Sequence, residues 1–152
     1  MIEIEVRHCT GSGFLPTAIS LFTNSHITHT CVKVNENGED VIYEMQENGL
    51  TRKLEASWKE KYNYKYVTTY HQITPFKYNW LKSKQGVLPY DKGTLIVSQP
   101  LLQLFGIWVG RKQKSTRDGM ICSELVAFLL GVEKWWLQSP KSLYKLCKDG
   151  KL

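Results

Sequence analysis

The chain has 152 residues, of which 42% are hydrophobic and 22% charged. That is the length of one domain with enough apolar material to bury a core, which excludes a disordered or fibrous chain. Twenty Lys and Arg against fourteen Asp and Glu give a formal charge of +6; this suits solubility and admits an anionic partner, but no nucleic-acid-binding signature accompanies it.

Residues 2–7 alternate apolar and acidic side chains and predict a strand. Residues 10–13 form a turn, and residues 15–22 predict a short helix with Pro16 in its first turn. A strand over 28–34, a turn over 35–40 and a strand over 41–45 predict a hairpin. Asn48-Gly49 turns the chain again, and strands are expected over 50–54 and 64–73, pairing most simply as an antiparallel meander. The second half changes period. Helices are expected over 75–84, over 91–105 with a break at Pro100, over 121–130 closed by Gly131, and over 140–147 capped by Ser139. Strands first and helices second predict an α+β fold, an antiparallel sheet with helices packed on it, in one domain over 1–152.

The N-terminus lacks a secretory signal, and the longest apolar stretch, 95–109, is interrupted too often to span a membrane. A cytoplasmic protein is expected, and a bacterial or viral source would fit. Cys9, Cys31, Cys122 and Cys147 are far apart with no Cys-x-x-Cys pair, so reduced thiols are expected and neither a metal nor an organic cofactor is implied.

Cys122 opens a helix, where unpaired amides and the helix dipole favour a thiolate and offer N–H groups to an oxyanion. Read by itself it also fits a buried core thiol. His29 begins a strand and Glu44 lies on the next one, so the carboxylate is placed to orient the imidazole. Each residue alone also fits an ordinary strand position. His26 is the alternative base, and His8 and His71 have no motif context.

Four segments together resemble the circularly permuted branch of the NlpC/P60 superfamily of papain-like cysteine hydrolases. They are Ser25-His26-Ile27-Thr28-His29, Val41-Ile42-Tyr43-Glu44-Met45, Gly86-Val87-Leu88-Pro89-Tyr90-Asp91 and Ile121-Cys122-Ser123-Glu124-Leu125-Val126; Ser139-Pro140-Lys141-Ser142-Leu143 follows them as in that family. The resemblance implies a papain-like fold with Cys122 as nucleophile, His29 as base and Glu44 as its orienter. It also implies a substrate-binding role for Tyr90 and Asp91. The substrate would be a peptide or another amide or acyl compound. Relatives also include lipid acyltransferases and thioesterases, for which the apolar residues 101–109 and Trp135-Trp136 are the matching features. A non-catalytic module holding an anionic polymer is the third reading. Glu124 is expected to cap its helix or join an ion pair, and the basic cluster Arg111, Lys112, Lys114 and Arg117 to rim the site.

Overall fold

The computed structural model describes residues 1–11, 19–21, 23–62, 64–105, 115 and 117–152, the side chain of Gln103 excepted. Five antiparallel strands, β1 (Ile2–Thr10), β2 (His29–Glu36), β3 (Glu39–Gln46), β4 (Gly49–Leu54) and β5 (Lys65–Ile73), form one sheet in the order β4-β3-β2-β1-β5. With helices packed on it, the architecture is the expected α+β.

The meander holds only for β1 to β4. β5 pairs with β1, from Ile2 opposite Ile73 to Thr10 opposite Lys65, and not with β4. The cause is a helix that strand and turn patterns did not predict, α1 (Glu55–Lys61). It follows β4 directly and carries the chain back across one sheet face to the far edge. Its single apolar anchor is Trp58, which is fully buried against Cys9, Cys31 and Ile42. Glu55 in its first turn and Lys59 and Lys61 in its last complement the helix dipole.

The other face carries the main core. Val6, Val32 and Tyr43 from the sheet meet Leu81 of α2 (Pro75–Ser83), Leu125 and Leu129 of α4 (Cys122–Leu130), and Leu143 of α5 (Pro140–Lys148). α5 starts as its sequence requires: Ser139 accepts the Ser142 N–H at 3.1 Å, and Ser142 accepts the Ser139 N–H at 2.9 Å.

The single helix expected over 91–105 is divided. A π-helical turn spans Thr94–Ser98, and α3 spans Gln99–Phe105. Pro100 has no N–H to give to the preceding turn, and the wider turn absorbs the missing bond. Of the helix expected over 15–22, residues 19–21 are helical and 12–18 and 22 lie outside the described residues, as do all of the basic cluster except Arg117. No helix among the described residues is long and apolar enough to cross a membrane.

Candidate active site

The site forms where the start of α4 meets the start of β2. Ile121 is extended, with φ −91° and ψ 171°, so the helix begins abruptly at Cys122. Its entry is anchored from two sides. Glu124 reaches back to accept the Ile121 N–H at 2.9 Å, which is the capping role expected of it. Met120 bridges to Tyr90: its N–H donates to the Pro89 carbonyl at 3.1 Å, and its carbonyl accepts from the Asp91 N–H at 3.2 Å. The first-turn amides of α4 have no partners within the helix, so the Cys122 sulfur sits at the positive end of its dipole.

His29 is the first residue of β2, and its ring reaches Glu44 of β3, with Nε2 3.1 Å from Oε2. Glu44 is fully buried. Trp58 Nε1 donates to the same oxygen at 3.1 Å, and Lys53 Nζ donates to Oε1 at 2.9 Å. Burial alone would raise the carboxyl pKa. The bonds from His29, Lys53 and Trp58 outweigh it and hold the group down at about 2. Glu44 is therefore a carboxylate at any ordinary pH, and it can only accept. With Nε2 committed to it, Nδ1 is the ring nitrogen left for Cys122, which lies close enough to interact with the imidazole.

Cys122 and His29 stabilise each other's charged forms. Burial disfavours the imidazolium, but the Cys122 and Glu44 charges and hydrogen bonds raise the His29 pKa well above its usual value. Burial disfavours the thiolate too. His29, together with the N–H and hydroxyl of Thr30, still brings the Cys122 pKa below its usual value. The cysteine is 3% exposed, and the histidine side chain is 14% exposed. A thiolate–imidazolium pair beside a fixed carboxylate can attack a carbonyl and return a proton to the leaving group.

Sequence comparison is silent here. No protein-family model matches the chain, and no curated protein matches it. The geometry stands by itself.

Tyr90 packs against the core beside Cys122; burial first, and then the Cys122 charge, push its phenol pKa up, so it stays protonated. Asp91 acts on its own segment: one carboxylate oxygen accepts the Thr94 N–H at 2.8 Å and the other the Thr94 hydroxyl at 2.6 Å. His26 is exposed in the bend before β2, while His29 holds the contacts to Glu44 and Cys122. His8 and His71 both bond Thr69, at 3.2 and 3.0 Å, on the sheet. Among the described residues no group of three His, Cys, Asp or Glu side chains is gathered to hold a metal ion.

Three contributors were not singled out from sequence. Trp58 lies on the unforeseen helix, so its bond to Glu44 had no visible signal. Lys53 follows from strand alternation: it pairs with Ile42 across β3 and β4, which puts it on the Glu44 face. Thr30 follows His29 and points to the opposite face, toward α4.

Proposed function

We propose that the protein is a cysteine-dependent amide hydrolase with a papain-like arrangement, similar to the permuted NlpC/P60 enzymes. The observation that carries the reading is the chain of contacts from buried Glu44 to His29 to Cys122, ending on a thiol at a helix start. The order of segments and the α+β architecture with an antiparallel sheet support it.

In this mechanism the Cys122 thiolate attacks the amide carbonyl. The first-turn N–H groups of α4 and the Tyr90 hydroxyl donate to the oxyanion. The His29 imidazolium protonates the leaving amine as the C–N bond breaks, leaving an acyl-thioester on Cys122. Neutral His29 then takes a proton from water, which attacks the thioester and releases the acid, and the proton returns the pair to its ionised state. Glu44 holds the imidazole in its tautomer throughout.

A second reading keeps the acyl-thioester and passes it to another acceptor, as lipid acyltransferases do. The observation favouring it is the row of exposed apolar residues Ile96, Val97, Leu104 and Phe105. Mass spectrometry of the acyl group captured on Cys122 separates the two.

The decisive experiment is labelling with a thiol electrophile across pH, in wild type and His29→Ala. Selective Cys122 labelling at pH 7 is expected in the wild type, and a fall of about tenfold or more in the variant, because burial remains while the countercharge is gone. Equal labelling in both proteins refutes the hydrolase reading.

A further inference from the structure

The Glu44 carboxylate carries one negative charge and faces two cations. His29 Nε2 is 3.1 Å from one oxygen, and Lys53 Nζ is 2.9 Å from the other. One cation is enough to balance the carboxylate, so the second has a separate role.

Lys53 is held as a part of the site is held, and not as a loose surface ammonium. Its side chain is 23% exposed. Besides Glu44, Nζ donates to the Tyr62 hydroxyl at 3.1 Å and lies 4.8 Å from the centroid of that ring. Tyr62 stacks on Tyr64, with centroids 5.2 Å apart and planes 8° from parallel, and the Tyr64 ring lies 5.9 Å from that of His29. The lysine head is thus fixed from two sides, by the carboxylate and by an aromatic pair that leads back to the imidazole. Burial works against its charge, but the bonds to Glu44 and Tyr62 outweigh it, so Lys53 stays cationic.

The other groups near the carboxylate do not duplicate it. Trp58 donates from a neutral ring. The Cys9 and Cys31 thiols and the Tyr64 phenol feel the Glu44 charge, and none of them is a cation. Arg7 on β1 is taken by Glu5 and Glu55. Cys122 meets the far side of the imidazole. Among the described residues, Lys53 is the one cation besides His29 in contact with Glu44.

An imidazolium facing an undivided carboxylate holds its proton tightly. In the hydrolysis proposed above, His29 must give a proton to the leaving amine and later take one from water, and such a group works best when it titrates near the working pH. A second cation draws off part of the carboxylate charge and weakens its hold on the imidazolium.

We propose that Lys53 is a positioning residue of the active site: by sharing the Glu44 carboxylate it fixes that group toward His29 and keeps the imidazolium acidic enough to protonate the leaving amine. The inference rests on reading Cys122 and His29 as the catalytic pair, and it adds a fourth charge to them. The Cys122 thiolate and Glu44 then balance His29 and Lys53.

The test follows the His29 ring nitrogens by NMR across pH in wild type, Lys53→Met and Lys53→Arg. Methionine keeps the stem and removes the charge, whereas arginine keeps the charge and the donors. Removing a cation favours protonated forms, so the midpoint for loss of the His29 proton should rise by about half a unit or more in Lys53→Met. It should return to the wild-type value in Lys53→Arg. A lysine that only braces the fold gives the opposite sign, because a loosened Glu44 releases His29 and its midpoint falls toward about 6.5. If the methionine variant does not fold, Lys53→Gln, which keeps a donor without the charge, must show the same rise. An unmoved midpoint, a fall, or an equal rise in the arginine variant overturns the proposal. Labelling of Cys122 that depends on His29, beside an unmoved midpoint, removes Lys53 and leaves the hydrolase reading standing; equal labelling in wild type and His29→Ala removes both.

Discussion

At the scale of single residues, the nucleophile's ionisation depends on a neighbour outside the Cys-His-Glu trio. Thr30 is buried, and its hydroxyl makes no formed hydrogen bond among the described residues. It lies beside Cys122, where its hydroxyl and its backbone N–H lower the thiol pKa. A donor there favours the thiolate over the thiol. Thr30→Val keeps the shape, the β-branch and the N–H but deletes the hydroxyl. The Cys122 pKa should rise by about one unit, the equivalent of about 1.4 kcal/mol for a hydrogen bond to a charged group. The pH profile of Cys122 alkylation checks this, with the midpoint moving to higher pH and the plateau rate at high pH unchanged. A profile that does not move removes Thr30 from the site. His29, Glu44 and Cys122 were legible only as a set, through the order of the segments that carry them, since each alone also fits an ordinary strand or core position. Thr30 was not, because its significance comes from α4 packing on the sheet face opposite to that of its neighbour.

At the scale of elements, the strands were read well and one connection was not. Period-two alternation marks a strand, but it does not say which neighbour the strand takes. The seven residues of α1 contain a single buried apolar side chain, too few for any helical periodicity. Without that helix, β5 had no reason to cross to the far edge. The segment 86–90, which leads into the site, is held by a different connection. Leu50 N–H donates to the Leu88 carbonyl at 3.0 Å, and Gly86 N–H donates to the Leu50 carbonyl at 2.9 Å. This close approach requires Gly49. Its φ is +105°, and a Cβ there would lie 2.5 Å from the Leu88 carbonyl oxygen. Gly49→Ala adds left-handed strain of about 1–2 kcal/mol and a clash that only backbone movement relieves. A loss of about 2 kcal/mol or more in urea unfolding is expected, together with slower alkylation of Cys122, because the displaced segment carries Pro89 and Tyr90, which brace the entry to α4. Stability and labelling both unchanged would show that the segment is not held through this contact.

At the scale of the whole molecule, the site's charges and the core histidine impose opposite demands on pH. His8 is fully buried on β1, with Nε2 on the Thr69 hydroxyl, Nδ1 without a partner among the described residues, and Tyr144 edge-on at 5.0 Å between ring centroids. Among the described residues, Thr69 and Tyr144 contact it, Thr30 lies opposite it on β2, and Cys147 and His71 are nearby, and none of them lowers its charge cost with a negative partner. Burial first, and then His71, lower its pKa to about 4 from the usual 6.5. The unfolded chain therefore binds a proton that the folded chain refuses between those values, so stability is full above about pH 6.5 and falls as pH drops toward 4. The two pKa values correspond to roughly 3 kcal/mol by pH 4. His71, also lowered by burial, adds in the same direction. The carboxylates act lower on the scale: Glu44 and Glu36 are both held at about 2, so their contribution is kept above the usual carboxyl pKa and lost only as pH falls from there toward 2. Between pH 7.5 and 5 His8 and His71 lower stability as pH falls, while His29, whose pKa is raised, contributes in the opposite sense, so a comparison of urea midpoints with a variant isolates His8. A steeper fall over that range is expected in the wild type than in His8→Leu, whatever the variant's stability at pH 7.5. Parallel lines would mean that His8 is not buried as a neutral ring. The same fall in pH leaves the Glu44–His29 contact intact, because Glu44 stays ionised and His29 stays protonated. The packing of α5 against β1 should therefore loosen before the Glu44–His29 pair loses a charge.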